Sequence, residues 1–87
     1  MISSIVLTGL LKEVREDNFR IIETRNSDAL HPEKDIICNI PLLYWTKDKS
    51  NPLNNAPIDT WVVIKGHLEN DDKIGLYVLV ESMHIGK

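Results

Sequence analysis

Apolar residues along this chain recur mostly at every second position or in short β-branched runs, which is the spacing of strands and not of helices. The first such stretch is Ser4–Val14, rich in Ile, Val, Leu and Thr, with Gly9 in its middle. Phe19–Thr24 follows after the polar break Arg15-Glu16-Asp17-Asn18, so the two predict a hairpin. Arg25–Lys34 contains Asn26-Ser27-Asp28 and His31-Pro32 and reads as a loop. Asp35–Ile40 is a third strand and Thr60–Leu68 a fourth. Lys73–Ile85, reached across the acidic turn Glu69-Asn70-Asp71-Asp72, is a fifth. Between the third and fourth lies Pro41–Asp59, with three of the four prolines. Its first half, Pro41–Ser50, has room for a short helix, because proline is tolerated at the first helical position. Its second half, Asn51–Pro57, reads as loop.

Five strands broken between the third and fourth predict an all-β, five-stranded Greek-key barrel of the OB type, with a short helix or loop between strands 3 and 4. A flat sheet of five strands would leave two open edges and a bare apolar face, and closure removes most of that problem. Gly9 and Gly66 suit the bends or close strand contacts that a barrel needs.

Composition narrows the class. At 87 residues, 43% of them apolar and 26% charged, the chain is one domain (1–87) and is too apolar for disorder. It has no room for a cleft between two lobes. The longest apolar runs, such as Ile40–Trp45 and Trp61–Ile64, fall far short of the about 20 residues of a membrane helix. The Met-Ile-Ser-Ser start lacks the features of a signal peptide. One cysteine, Cys38, makes no internal disulfide and no zinc site. The expectation is a cytoplasmic protein, without cofactor, metal or membrane, in which Cys38 is a small core residue of strand three. Catalysis is not expected: no phosphate loop, nucleophile elbow or metal-binding helix is present, and His31, His67 and His84 are dispersed.

Three segments carry a resemblance. Ser4–Lys12 (SIVLTGLLK) resembles the opening strand of small bacterial single-stranded-DNA-binding proteins, an alternating apolar strand with a central glycine. Asp59–Leu68 (DTWVVIKGHL) and Lys73–Ile85 (KIGLYVLVESMHI) resemble their closing pair. The primosomal replication protein B group is the nearest in length. The resemblance implies oligonucleotide binding on the strand 2–3 face, helped by adjoining loops, and often oligomerisation. The chain departs from the family in having few aromatics in that region.

Holding a single strand takes planar side chains for bases and cations for phosphates. Alternation in the fourth strand sets Val62, Ile64 and Leu68 against Trp61, Val63, Lys65 and His67, so the second set offers a stacking-plus-cation stripe if the first faces the core. Trp61 suits a barrel-end cover or an oligomer contact as well. In the last strand Tyr77, Leu79 and Glu81 share a face opposite Leu76, Val78 and Val80, which brings Tyr77 towards the Trp61 stripe. Arg20 and Arg25 are the cations nearest the strand 2–3 face, and His31 and Lys34 follow in the loop. Tyr44, Trp45, Lys47 and Lys49 suit a gripping arm, while Leu42 and Leu43, with Tyr44 and Trp45 undecided, suit a plug for the barrel end. Ten Lys and Arg stand against thirteen Asp and Glu, which predicts weak, salt-sensitive binding unless other subunits add contacts. Two classes remain open. One is a single-stranded DNA-binding (or RNA-binding) accessory protein of replication, repair or recombination, as a homo-oligomer or as a subunit of a larger complex. The other is a protein-interaction subunit without direct nucleic-acid binding.

Overall fold

The computed structural model describes residues 4–15, 18–27, 30, 33, 35–46, 48 and 50–86, with the side chains of 26 and 27 excepted. These residues form strands β1 (Ile5–Val14), β2 (Arg20–Ser27) and β3 (Asp35–Tyr44), a short helix α1 (Pro52–Asn55), then β4 (Thr60–Asp71) and β5 (Gly75–Ile85). The strands close into a barrel in the order β1-β2-β3-β5-β4. All neighbours are antiparallel except β3 and β5, which run parallel with Leu42 opposite Val78 and Tyr44 opposite Val80. This is the expected five-stranded Greek-key arrangement, with the helix between the third and fourth strands.

Leu11, Ile22, Leu42, Val62, Ile64, Val78 and Val80 fill the barrel, and Leu53 and Ala56 close one end. Burying a side chain of this kind contributes about 1.5–3 kcal/mol, so such a core carries most of the stability a chain this small can reach. Two glycines let the strands approach. A Cβ on Gly9 would overlap the backbone carbonyl of Glu23 in β2, and one on Gly66 would overlap that of Leu79 in β5. At the second crossing the β4–β5 register slips between Lys65 and Gly66, so β5 carries a bulge there.

The helix lies in the half of the inter-strand segment that reads as loop. β3 continues through Pro41 to Tyr44, where Pro41–Ser50 allows a helix. Asn51 starts α1 instead: its side chain accepts from the Asn54 backbone N–H at 2.9 Å, and Pro52 sits in the first turn. The plug therefore comes from Leu53, while Leu42 is an ordinary strand residue of the core and Leu43 is only half-buried. The β4–β5 turn is also tighter than expected. β4 runs to Asp71, whose Oδ2 accepts from the N–H groups of Lys73 (2.9 Å) and Ile74 (3.1 Å), and Gly75 takes φ +87° to begin β5.

The far halves of β2 and β3 pair with each other through Ser27 and Asp35, whereas the β1–β2 pairing ends at Leu10 and Glu23. They form a two-stranded ribbon extending beyond β1. Asp35–Asn39 is exposed on both faces, Ile36, Ile37 and Cys38 included. Cys38 is thus not a core thiol, because it lies in the ribbon half of β3, before that strand enters the barrel.

Candidate nucleic-acid interface

Arg20 faces inward. It is 2% exposed, and its Nη1 donates to the carbonyls of Leu53 (3.1 Å), Asn54 (3.4 Å) and Ala56 (2.7 Å), while Nε donates to the Lys12 carbonyl. Those are the carbonyls at the end of α1, which a four-residue helix cannot satisfy itself. Burial lowers the guanidinium pKa from its ordinary value, opposed by the charge of Glu13. Arg20 is therefore the fastener that holds α1 over the barrel end and not a phosphate contact. The alternation of β2 is as expected, but the face bearing Arg20, Ile22 and Thr24 points into the barrel. Phe19 and Ile21 are buried as well, so the sequence offers no polar face to set the direction.

Along β4 the alternation holds at one end and fails at the other. Val62, Ile64 and Gly66 are buried, and Trp61, Val63, Lys65 and His67 are not, but Leu68 is 45% exposed where β4 runs past the core. Lys65 is exposed, opposite Val6 of β1 and Ser82 of β5. Tyr77 does not join Trp61: it pairs across from Glu69, eight positions or about 26 Å along β4 from Trp61. Its ring instead meets Phe19 edge-on, with centroids 5.1 Å apart. Burial there pushes its phenol pKa up, aided by Glu69 and Asp71.

Four of the expected site residues, Arg25, Trp61, Trp45 and His67, line two depressions. The first is lined by Trp61 of β4, Thr8 and Leu10 of β1, and Glu23 and Arg25 of β2, with a volume of about 240 Å³. Leu10 pairs with both Glu23 and Trp61, so those two flank it, about 10 Å apart. Arg25 lies two residues further along β2 on the same face, exposed. Trp61 is held from behind: the Gly86 N–H donates to its carbonyl at 2.8 Å, and a Cβ on Gly86 would overlap the indole. Lys12 stands nearby, bonded to Asp59 and 3.8 Å from Glu23; the Asp59 bond is the main cause of its raised pKa.

The second depression is lined by Trp45, His67, Leu79 and Glu81. Trp45 is 60% exposed beyond the end of β3, its N–H donating to the Val80 carbonyl at 3.1 Å. Tyr44 is half-buried against the core, with its ring centroid 6.1 Å from that of Trp45, which assigns Tyr44 to packing and Trp45 to the surface. His67 is caught between two carboxylates, Nδ1 against Glu81 at 3.0 Å and Nε2 against Glu69 at 2.8 Å. These bonds, Glu81 first, raise its pKa. With two carboxylates on one imidazole, the local charge is negative whether or not the ring is protonated. Lys34, Lys47 and Lys49, together with His31, lie outside the described residues.

Thr8, Leu10 and Glu23 escape a search for aromatics and cations. The signal available for them was alternation in β1, which puts Thr8 and Leu10 on one face.

The architecture matches a solved one. The crystal structure of the SSB domain of a Synechococcus sp. protein superposes with a TM-score of 0.63 over 97% of this chain and 96% of that one, at 15% identity. The fold is an OB barrel. No protein-family model matches the chain, and no curated protein does. The likeness to the SSB domain is therefore one of fold.

Proposed function

We propose that this OB barrel binds single-stranded nucleic acid, as an accessory protein of DNA replication, repair or recombination. The observation that carries the reading is the depression that Trp61 of β4 and Arg25 of β2 both line, on either side of β1. An indole exposed on one side and packed from behind is a ready stacking platform, and base–aromatic stacking is worth about 1–3 kcal/mol per base. A guanidinium beside it pairs with phosphate through two parallel bonds or stacks in its turn. The resemblance of β1, β4 and β5 to single-stranded-DNA-binding proteins, and the likeness of fold to an SSB domain, point the same way. The formal charge of −3 implies that affinity is modest for the isolated chain and gains from oligomerisation or a partner subunit.

Tryptophan fluorescence during titration with single-stranded DNA and RNA, at low and then moderate salt, tests this. Quenching that salt reverses is the expected result. If neither polymer changes the emission at low salt, the reading is wrong.

The second depression supports the other reading, a protein-interaction subunit. There Trp45 and Leu79 sit beside Glu81 and the doubly paired His67, a setting that repels phosphate and suits an apolar or basic protein segment.

A further inference from the structure

A carboxylate on a phosphate-binding surface is a liability, yet Glu23 lines the Trp61 depression, half-buried, on the same face of β2 as Arg25. Lys12 does not neutralise it fully, since that ammonium is engaged by Asp59 and only reaches Glu23 at 3.8 Å. The volume, about 240 Å³, lies below the roughly 300–1,000 Å³ typical of drug-sized ligands and suits one planar ring system. Leu10 makes its floor apolar, and Trp61 supplies a wall on which a base can stack.

We propose that this depression is a base-reading pocket that prefers guanine, with Glu23 and Arg25 as its specificity residues. The inference rests on the nucleic-acid reading above and deepens it. Guanine presents two neighbouring donors, N1–H and the N2 amino group, on its pairing edge, which match the two oxygens of a carboxylate. Cytosine and adenine each place an acceptor beside their amino group on that edge, and thymine flanks its single N–H with two carbonyls. A carboxylate is repelled by each of those acceptors. On the adjoining edge guanine presents O6 and N7, the acceptor pair that an arginine fork reads. Glu23 flanks Leu10 on the side opposite Trp61, with Arg25 two residues along the same strand, so the two side chains of β2 that border a base held at Trp61 offer a carboxylate and a guanidinium next to each other. The donor and acceptor pairs occur together, on neighbouring edges, in guanine alone among the common bases.

The test compares short oligothymidylates that are uniform, or carry one central guanine, adenine or cytosine, using the intact chain and tryptophan emission as readout. The guanine-bearing strand is expected to bind about tenfold tighter than the others, within the range of a good bidentate base contact. Glu23→Gln should shrink that gap to about twofold, while affinity for uniform oligothymidylate rises as repulsion of phosphate is lost. Replacing guanine by 7-deazaguanine removes N7 and should lower affinity in the parent chain, with no further loss in Arg25→Gln. Equal binding of all strands, or a guanine preference undiminished in Glu23→Gln, overturns the base-reading pocket while leaving the nucleic-acid reading standing. Absence of binding by every strand at low salt overturns both.

Discussion

The two tryptophan-lined depressions are built from the same kind of anchor and differ in everything around it. Trp61 lies over a three-strand surface of β4, β1 and β2, pinned by Gly86, with an exposed guanidinium at its side. Trp45 lies past the end of a strand, beside an imidazole whose two nitrogens are both taken by carboxylates. Aromatic count alone would rank them equally. The groups that the fold delivers to each separate them: an exposed guanidinium in one, an imidazole already held by two carboxylates in the other. A residue type is thus a weak guide to a site until its partners are known.

The comparison breaks most completely if the barrel end opens. Arg20→Leu leaves the carbonyls of Lys12, Leu53, Asn54 and Ala56 without their donor, and a buried acceptor so stranded costs about 1–3 kcal/mol. A loss of about 3 kcal/mol or more is expected, measured by chemical denaturation. An unchanged midpoint would mean that α1 does not depend on Arg20.

Next in size is the contrast between the tryptophans. Trp61→Ala should weaken oligonucleotide binding by about 5- to 100-fold, the range of one lost stack, with Trp45→Ala changing it by less than about twofold. Fluorescence anisotropy of a labelled oligonucleotide reads each titration. The reverse ranking would move the interface to the second depression. On uniform oligothymidylate, where no guanine edge engages it, Arg25→Gln should cost less affinity than Trp61→Ala and reduce the salt dependence by about 0.7 in the slope of log K against log salt, the release from one phosphate contact on a single strand.

Gly86→Ala sharpens the first site without touching its polar groups. The added methyl overlaps the Trp61 indole, so the ring must turn, and overpacking of this sort costs about 1–3 kcal/mol in a well-packed setting and less at a surface. A shift in Trp61 emission and weaker oligonucleotide binding are expected together.

The smallest effect belongs to the second site. The pKa of His67 is raised in the fold by Glu81 and Glu69, so the stabilisation it gives is fully present below the unfolded value near 6.5 and is lost as pH rises through the folded value. The ring is solvent-exposed, so the change is slight, and an NMR titration of its ring protons measures it better than a melting curve. Glu81→Gln should bring the midpoint back towards the ordinary value, while the Trp61 site responds to neither change.

Much of the barrel was legible from period and glycine placement. Val62 and Ile64 inward, Trp61, Val63 and Lys65 not, follows from alternation because β4 has an apolar and a polar side to distinguish. β2 offers no such contrast: Phe19, Ile21, Ile22 and Arg20 are all buried, so its direction depends on what each face meets. Cys38 misled for a related reason, since an apolar run reads alike whether its strand crosses the core or leaves it as a ribbon. The helix at Pro52–Asn55 was hidden because four residues carry no periodicity, and the Asn51 cap, the buried Leu53 and the Arg20 fastener are tertiary or local contacts that no period announces.

The sequence by itself determined the number of strands, their order, the need to close them and which residues carry bulk, because these depend on periodicity and on the composition of each segment. Tertiary structure alone decided that Arg20 turns inward, that Tyr77 sits with Phe19 and not with Trp61, and that Glu23 and Arg25 share a pocket with Trp61. Those are matters of register between strands distant in the chain, and a slip of one residue reverses every side chain's face.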